Sequence, residues 1–168
     1  MAIRLVSEAD FTTCIDIAHR TWPDFLEREA IYHILCKYFN TTCVVSEDNG
    51  TILAFLLGFI SQVDAREAYI HLIVTDSAAQ RRGIASSLYM EFFKTVRQLG
   101  ATRVRLTVDP ANAASLGFHI RLGFRPDIIG ERIQVGNVWA AKDFNGPGRH
   151  MVPFLLELSK EEGKCGGI

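Results

Sequence analysis

AYIHLIVTDSAAQRRGIASSLYMEFFKTVRQLGATRVRLTVDPANAASLGFHIRLGF, residues 68–124, decides the fold. It opens on a β-branched and aromatic run, 68–75, which reads as a strand. A Gly-bearing loop follows, Gln80-Arg81-Arg82-Gly83-Ile84-Ala85. Residues 84–99 then set Leu88, Phe92, Val96 and Leu99 on one helical face, and Gly100 ends that helix. Residues 103–108 read as a second strand. After Asp109-Pro110 a second helix runs to Gly123-Phe124. Strand, loop, helix, strand, helix is a βαβα pattern. Its loop leaves backbone N–H groups unpaired at a helix start, where an anion is welcome.

Working outward, residues 3–6 alternate as a short first strand. Ser7 suits a helix N-cap, with Glu8 and Asp10 in the first turn, and that helix runs to about residue 20. Thr21-Trp22-Pro23 interrupts it. Asp24 can cap a second helix over 25–39, with Leu26, Ile31, Ile34 and Leu35 facing inward. Strands are expected over 42–46 and 52–60, joined by the hairpin turn Asp48-Asn49-Gly50. Gly58 inside the second of them signals a bulge or a close backbone approach. Past Phe124 a strand is expected near 128–135, an irregular stretch around 136–141 and a loop over 144–148. A final strand is expected over 151–158, with Pro153 at an edge or a bulge.

The totals narrow the function classes. The chain has 168 residues, 48% of them hydrophobic, and reads as one globular domain over 1–158 with a flexible tail over 159–168. A net charge of −1 argues against a nucleic-acid partner held by bulk electrostatics. The longest apolar run, 52–60, falls well short of the roughly 20 residues that span a bilayer. The expected setting is therefore cytoplasmic, with no membrane and no nucleic acid, and a homodimer is allowed. Cys14, Cys36, Cys43 and Cys165 form no C-x-x-C pair and read as reduced thiols rather than activated nucleophiles. Neither they nor His19, His33, His71, His119 and His150 show metal-ligand spacing.

Two motifs carry a family resemblance. Gln80-x-x-Gly83-x-Ala85 resembles the pyrophosphate-binding signature Q/R-x-x-G-x-G/A of the GNAT superfamily of acetyl-CoA-dependent N-acetyltransferases. Asn112-x-x-Ser115-x-x-x-His119-x-x-x-Gly123-Phe124 resembles that family's second signature, N-x-x-A/S-x-x-x-Y-x-x-x-G-F. The two cover about a third of the chain, in the family's order and spacing. The resemblance implies an α/β (α+β) single domain with a mixed, mostly antiparallel sheet of about seven strands and about four helices.

It also implies chemistry: an acetyl group moves from acetyl-CoA to a primary amine by direct transfer in a ternary complex, with no metal. Gln80, Arg81, Arg82, Gly83, Ile84, Ala85 and Ser86 would cradle the donor's pyrophosphate. Backbone groups of Ile73, Val74 and Thr75 would pair with its pantetheine arm and polarise the thioester carbonyl. Asn112 would add a hydrogen bond to that arm, and Asn112 and Ser115 are also good helix-cap residues. His119 stands where the family has a tyrosine that protonates the departing thiolate, a role open to an imidazole. His71 lies twelve residues before Gly83, where relatives that acetylate histones carry a glutamate base. In an alternating strand it shares a face with Tyr69 and Ile73. Thr107 fills a position where some relatives have another glutamate. The acceptor stays open among a small molecule, an amino acid and a peptide. Trp22, Phe25, Tyr32, Tyr38, Trp139 and Phe144 are the candidate acceptor contacts, and Asp24, Glu27 and Glu29 could attract an ammonium. One alternative is a non-catalytic acyl-CoA-binding sensor of the same fold. A nucleotide-phosphate binder would need the G-x-x-x-x-G-K-S/T pattern, which the loop lacks.

Overall fold

The computed structural model describes residues 1–23 and 29–158. Its elements in chain order are β1 (Ala2–Leu5), α1 (Phe11–Thr21), α2 (Glu29–Tyr38), β2 (Val44–Asp48) and β3 (Thr51–Ile60). Then come β4 (Glu67–Thr75), α3 (Ile84–Gln98), β5 (Arg103–Val108), α4 (Ala113–Arg121), β6 (Arg125–Pro126), β7 (Arg132–Val135), β8 (Val138–Ala141) and β9 (Val152–Glu157). Seven strands form one sheet in the order β1-β2-β3-β4-β5-β9-β6, and β7 and β8 pair as a separate hairpin. Within the large sheet only β4 and β5 run parallel. The mixed, mostly antiparallel architecture expected from the sequence is the one observed.

The sheet is the middle of three layers. On one face Leu88, Phe92 and Val96 of α3 pack with Leu56, Ala68, Ile70, Val104 and Leu106. On the other face Ile17 and Ala18 of α1 and Tyr32 and Leu35 of α2 pack with Val45, Phe55 and Leu57. Fully burying one such large apolar side chain contributes roughly 1.5–3 kcal/mol. Asn49 (φ 49°) and Gly50 (φ 78°) close the β2–β3 hairpin. Two successive positive φ angles are the type I′ turn that the Asn-Gly pair specifies.

Ser7 precedes a short 3₁₀ turn, Glu8–Asp10, that runs into α1. The carboxylate of Asp10 gathers the donors there. It accepts from Ser7 N and Ser7 Oγ, both at 2.8 Å, and from Arg4 Nη1 at 2.7 Å. Hydrogen bonding to Arg4 outweighs burial and holds the Asp10 pKa down at about 2. A depressed carboxylate adds stability above its unfolded pKa and loses it as pH falls through the folded one. Asp10→Asn should therefore cost about 1–2 kcal/mol at pH 7. In urea melts the gap to the parent should close as pH falls from 3.8 towards about 2.

Gly58 marks a close backbone approach, with the Tyr69 carbonyl 2.8 Å from where its Cβ would lie, and it stands opposite a bulge on the neighbouring strand. Leu57 pairs with Leu72 but Gly58 pairs with Ile70, so His71 is the extra residue of a bulge on β4. The bulge reverses the alternation. Tyr69 lies against Phe59 on the α1–α2 face, whereas Ile73 packs into the α3 cluster. Tyr69 and Ile73 thus do not share a face, contrary to simple alternation.

Other boundaries moved as well. Residues 40–42 form a 3₁₀ turn, so β2 begins at Val44 rather than at residue 42. In α2 the buried side chains are Tyr32, Leu35 and Cys36, while Ile34 is 46% exposed. The expected irregular stretch 136–141 contains β8, because Gly136 (φ 58°) and Asn137 make a two-residue hairpin between Val135 and Val138. Pro153 is in β9 opposite Thr107, beyond the two residues that β6 pairs. The expected Asp24 cap, the inward Leu26, Phe25, Glu27, Cys165 and the tail over 159–168 lie outside the described residues. No helix of the described residues is long and apolar enough to cross a membrane.

Candidate active site

The site grows from the turn between β4 and α3. Asp76 accepts from Ala78 N and starts a 3₁₀ turn, Ser77–Ala79. Arg81 (φ 61°) and Gly83 (φ 76°) then take left-handed conformations on either side of Arg82. Such alternation folds backbone N–H groups into a concavity that suits an anion. Gly83 is the N-cap of α3, so the N–H groups of Ile84, Ala85 and Ser86 lie in the first turn without intrahelical acceptors. A Cβ at Gly83 would meet nothing within 4 Å, so its surface is open to a close approach. Gln80 ties the loop to the end of β4, Nε2 to Thr75 O at 3.5 Å. Gln80–Ser86 are thus gathered at one helix start, as a pyrophosphate cradle requires.

Beside that loop the sheet forks. β4 and β5 are paired only at Glu67↔Arg103, Ala68↔Val104 and Tyr69↔Arg105. β4 continues to Thr75 and stays paired with β3, through Ile73↔Leu56 and Thr75↔Ala54. β5 continues to Val108 and pairs with β9. From Ile70 to Thr75, β4 therefore parts from its parallel neighbour. Ile73, Val74 and Thr75 lie along this fork, with Val74 buried in the α1–α2 cluster. His71, half-buried, sits two residues above the last rung. Just past that rung the Tyr69 hydroxyl and Thr107 Oγ1 are 3.1 Å apart.

Across the fork α4 begins at Asn112, whose Oδ1 accepts from Ser115 N at 3.0 Å. The cap role of Asn112 is therefore realised. His119, one turn past Ser115, is only 4% exposed. Its Nδ1 lies 2.8 Å from the Ser115 carbonyl, and its Nε2 lies 2.6 Å from the Tyr89 hydroxyl. A carbonyl only accepts, so Nδ1 carries the proton, Nε2 is the acceptor and Tyr89 donates. Burial lowers the His119 pKa and raises that of Tyr89. The acid role needs a ring N–H offered to the departing sulfur. Here both nitrogens are committed inside a cluster that includes Phe118, Phe124 and Phe154.

Two of the three described thiols are pushed away from ionisation, whereas the hydrogen bond with Cys14 lowers the Cys36 pKa. Cys14 and Cys43 are fully buried. The Cys14 pKa is raised by its hydrogen bond with Cys36 and by burial, and burial pushes Cys43 up to about 12. Neither is a thiolate at neutral pH. Among the described residues no three His, Cys, Asp or Glu side chains gather as metal ligands.

The sequence profile described as the acetyltransferase (GNAT) family matches residues 11–124, about two thirds of the chain. This chain belongs to the GNAT acetyltransferase family. Its relatives include the L-2,4-diaminobutyric acid acetyltransferase of Halalkalibacterium halodurans, 32% identical over 84 residues. That match covers 50% of this chain and 44% of the relative, so it spans less than half of the relative's length. Among solved structures, Ard1 from Thermoplasma volcanium superposes with a TM-score of 0.77 at 20% identity, over 95% of this chain and 98% of that one. The diaminobutyrate acetyltransferase EctA from Paenibacillus lautus was solved with L-2,4-diaminobutyric acid and coenzyme A. It superposes with a TM-score of 0.70 at 21% identity, over 93% of each chain. At these identities the structural likeness establishes the GNAT fold.

Within this GNAT fold three groups went unread in the sequence. Tyr89 is 30 residues from His119, and nothing local marks it as a partner. Arg105 bonds Glu67 through Nε at 2.8 Å and Asp127 through Nη1 at 2.5 Å. The run Arg103-Val-Arg105-Leu-Thr107 did carry a signal, since strict alternation gives β5 one polar face. Asp127 falls just before the strand expected near 128–135, with no local signal of its own.

Proposed function

We propose that the protein acetylates a primary amine of a small molecule, with acetyl-CoA as the donor, by direct transfer in a ternary complex. The observation that carries this is the fork between β4 and β5, opening onto the glycine loop at the start of α3. The pyrophosphate sits on the loop, and the thiol arm lies along β4 from Thr75 towards His71. At about 3.3 Å per residue that run is roughly 13 Å. The neutral amine attacks the thioester carbonyl carbon. The C–N bond forms, the C–S bond breaks and CoA leaves as its thiolate. A β4 backbone N–H steadies the carbonyl oxygen as charge develops there. His71, the bulge residue at the fork, takes the ammonium proton directly or through water. A thiol has a pKa of about 8.5, so the thiolate needs only a late proton, which water supplies. His119 then acts as a positioning residue that holds Tyr89 and the first turn of α4.

Thermal shifts with acetyl-CoA, CoA and ATP test the donor site. At a hundred times its dissociation constant a ligand adds about 2.7 kcal/mol, a rise of roughly 5–10 °C for a domain of this size. Both CoA species should give it and ATP should not. A flat response to the CoA species sinks the proposal. A response without turnover of any amine favours the sensor instead. Gly83→Ala separates cradle from scaffold. Left-handed strain should cost about 1 kcal/mol of stability. Donor affinity should fall at least about tenfold, because the methyl occupies space the phosphates need.

A further inference from the structure

A cavity of about 170 Å³ opens at the closed end of the fork, on the sheet face of α1 and α2. Tyr69, Arg105 and Thr107 form its floor, and Asp127, Ile129 and Phe144 line its side. A water occupies about 30 Å³ of liquid, so the space corresponds to five or six waters. That volume suits a free amino acid rather than a folded peptide segment.

Its charges are arranged in a particular way. Arg105 gives Nε to Glu67 and Nη1 to Asp127. A guanidinium has five N–H donors, so three remain for a ligand. Asp127 uses only Oδ2 among the described residues, which leaves Oδ1. Asp127 is itself anchored, with its N–H on the Pro153 carbonyl at 2.9 Å. One wall thus offers a cation with spare donors beside an anion with a spare acceptor. Two residues along β4 from Tyr69, roughly 6–7 Å away, stands His71.

We infer that this cavity holds the acceptor, an α-amino acid with a short side-chain amine. Its carboxylate lies on Arg105, its α-ammonium on Asp127, and its side-chain amine reaches the fork. The inference rests on the acetyl-transfer reading above and names the substrate class of that site. A zwitterionic head fills both free valences at once, which a simple diamine or a capped peptide cannot do. The apolar Ile129 and Phe144 leave the intervening methylenes in a fitting environment.

The test uses the whole chain, saturating acetyl-CoA and thiol release as the readout. Four acceptors are compared: 2,4-diaminobutyrate, its carboxamide, 1,3-diaminopropane and a short peptide with a free N-terminus. The diamino acid should exceed the carboxamide in kcat/KM by about 10–100-fold, the worth of one charge-assisted pairing. Arg105→Lys should shrink that ratio to a few-fold, chiefly through KM, with the acetyl-CoA thermal shift retained. Asp127→Asn should do the same for the diamino acid against its α-desamino analogue. Equal rates with the carboxamide, or preference for the peptide, overturn the inference while leaving acetyl transfer intact. CoA binding with no turnover of any of the four also overturns it. Loss of the CoA response in the unaltered protein would instead strike the acetyl-transfer reading. If the variants do not fold, the acceptor series on the unaltered chain decides.

Discussion

Gly58→Val should leave little folded protein, and Gly58→Ala should lower stability by about 2–3 kcal/mol. A Cβ at this position would lie 2.6 Å from Cε2 of Phe92 and 2.8 Å from the Tyr69 carbonyl oxygen. Phe92 is fully buried in the centre of the α3 cluster, so its ring has little room to withdraw. The Tyr69 carbonyl belongs to the last rung that joins β4 to β5. Making space would displace either the helix or that rung. The position also lies at the register shift opposite the bulge, and its backbone is bonded on both sides. The Gly58 carbonyl accepts from Thr42 Oγ1 at 2.7 Å, and the Gly58 N–H reaches Cys43 Sγ at 3.4 Å. For a domain of this size the alanine variant should melt roughly 5–10 °C lower. Urea unfolding checks the free energy. A loss within experimental error would show that Phe92 gives way freely and that the close approach does not constrain the fork. Any surviving fold should also show weakened acetyl-CoA binding, because the fork begins at the displaced rung.

His119→Ala should cost about 3–4 kcal/mol. The ring is enclosed, and its removal orphans one buried partner, the Tyr89 hydroxyl, and takes a second donor from the Ser115 carbonyl. It also leaves a hole among the surrounding aromatic rings. Tyr89→Phe removes a single donor and should cost about 1–2 kcal/mol. In a double-mutant cycle the two losses should be strongly non-additive. The pH dependence has a definite sign. Burial, the leading influence, lowers the folded pKa of His119 below its ordinary value, while the Ser115 carbonyl opposes it. As pH falls below about 6.5 the unfolded histidine takes a proton that the folded one resists. Stability should therefore decline from there towards the depressed folded value, and His119→Phe should flatten that part of the curve. A catalytic acid would give a different pattern. Stability would hardly change, kcat would fall, and the alkaline limb of its pH profile would disappear with the histidine. Stability and kcat measured on the same variant separate the two roles.

Several elements were legible because their signals are local. Asn49-Gly50 demands two positive φ angles, and few turns other than a hairpin provide them. Asn112 caps α4 through a bond three residues away. The apolar stripe of α3 needs only the helical repeat to show its buried face as far as Val96, whereas Leu99, past the helix end, is 53% exposed. Where reading failed, competing local signals were close in strength. In α2 the expected inward Ile34 is exposed, because packing against α1 and the sheet buries the face of Tyr32, Leu35 and Cys36. Around Gly136 the turn pair was present, but the flanking runs of four residues are too short to announce strands by themselves.

The sequence alone determined the βαβα core, the glycine loop at a helix start and the residue at which β3 had to lack a side chain. These follow from backbone dihedrals and periodicity over about ten residues, which the chain carries wherever it is placed. Tertiary structure decided the rest. It placed His71 in the bulge and so put Tyr69 and Ile73 on opposite faces. It parted β4 from β5 after Tyr69, joined Tyr89 to His119 and set Arg105 between Glu67 and Asp127. Each of these is a contact between segments 12 to 38 residues apart. Strand register and helix docking settle such contacts together, because shifting any one of them would unpair or uncover all the others.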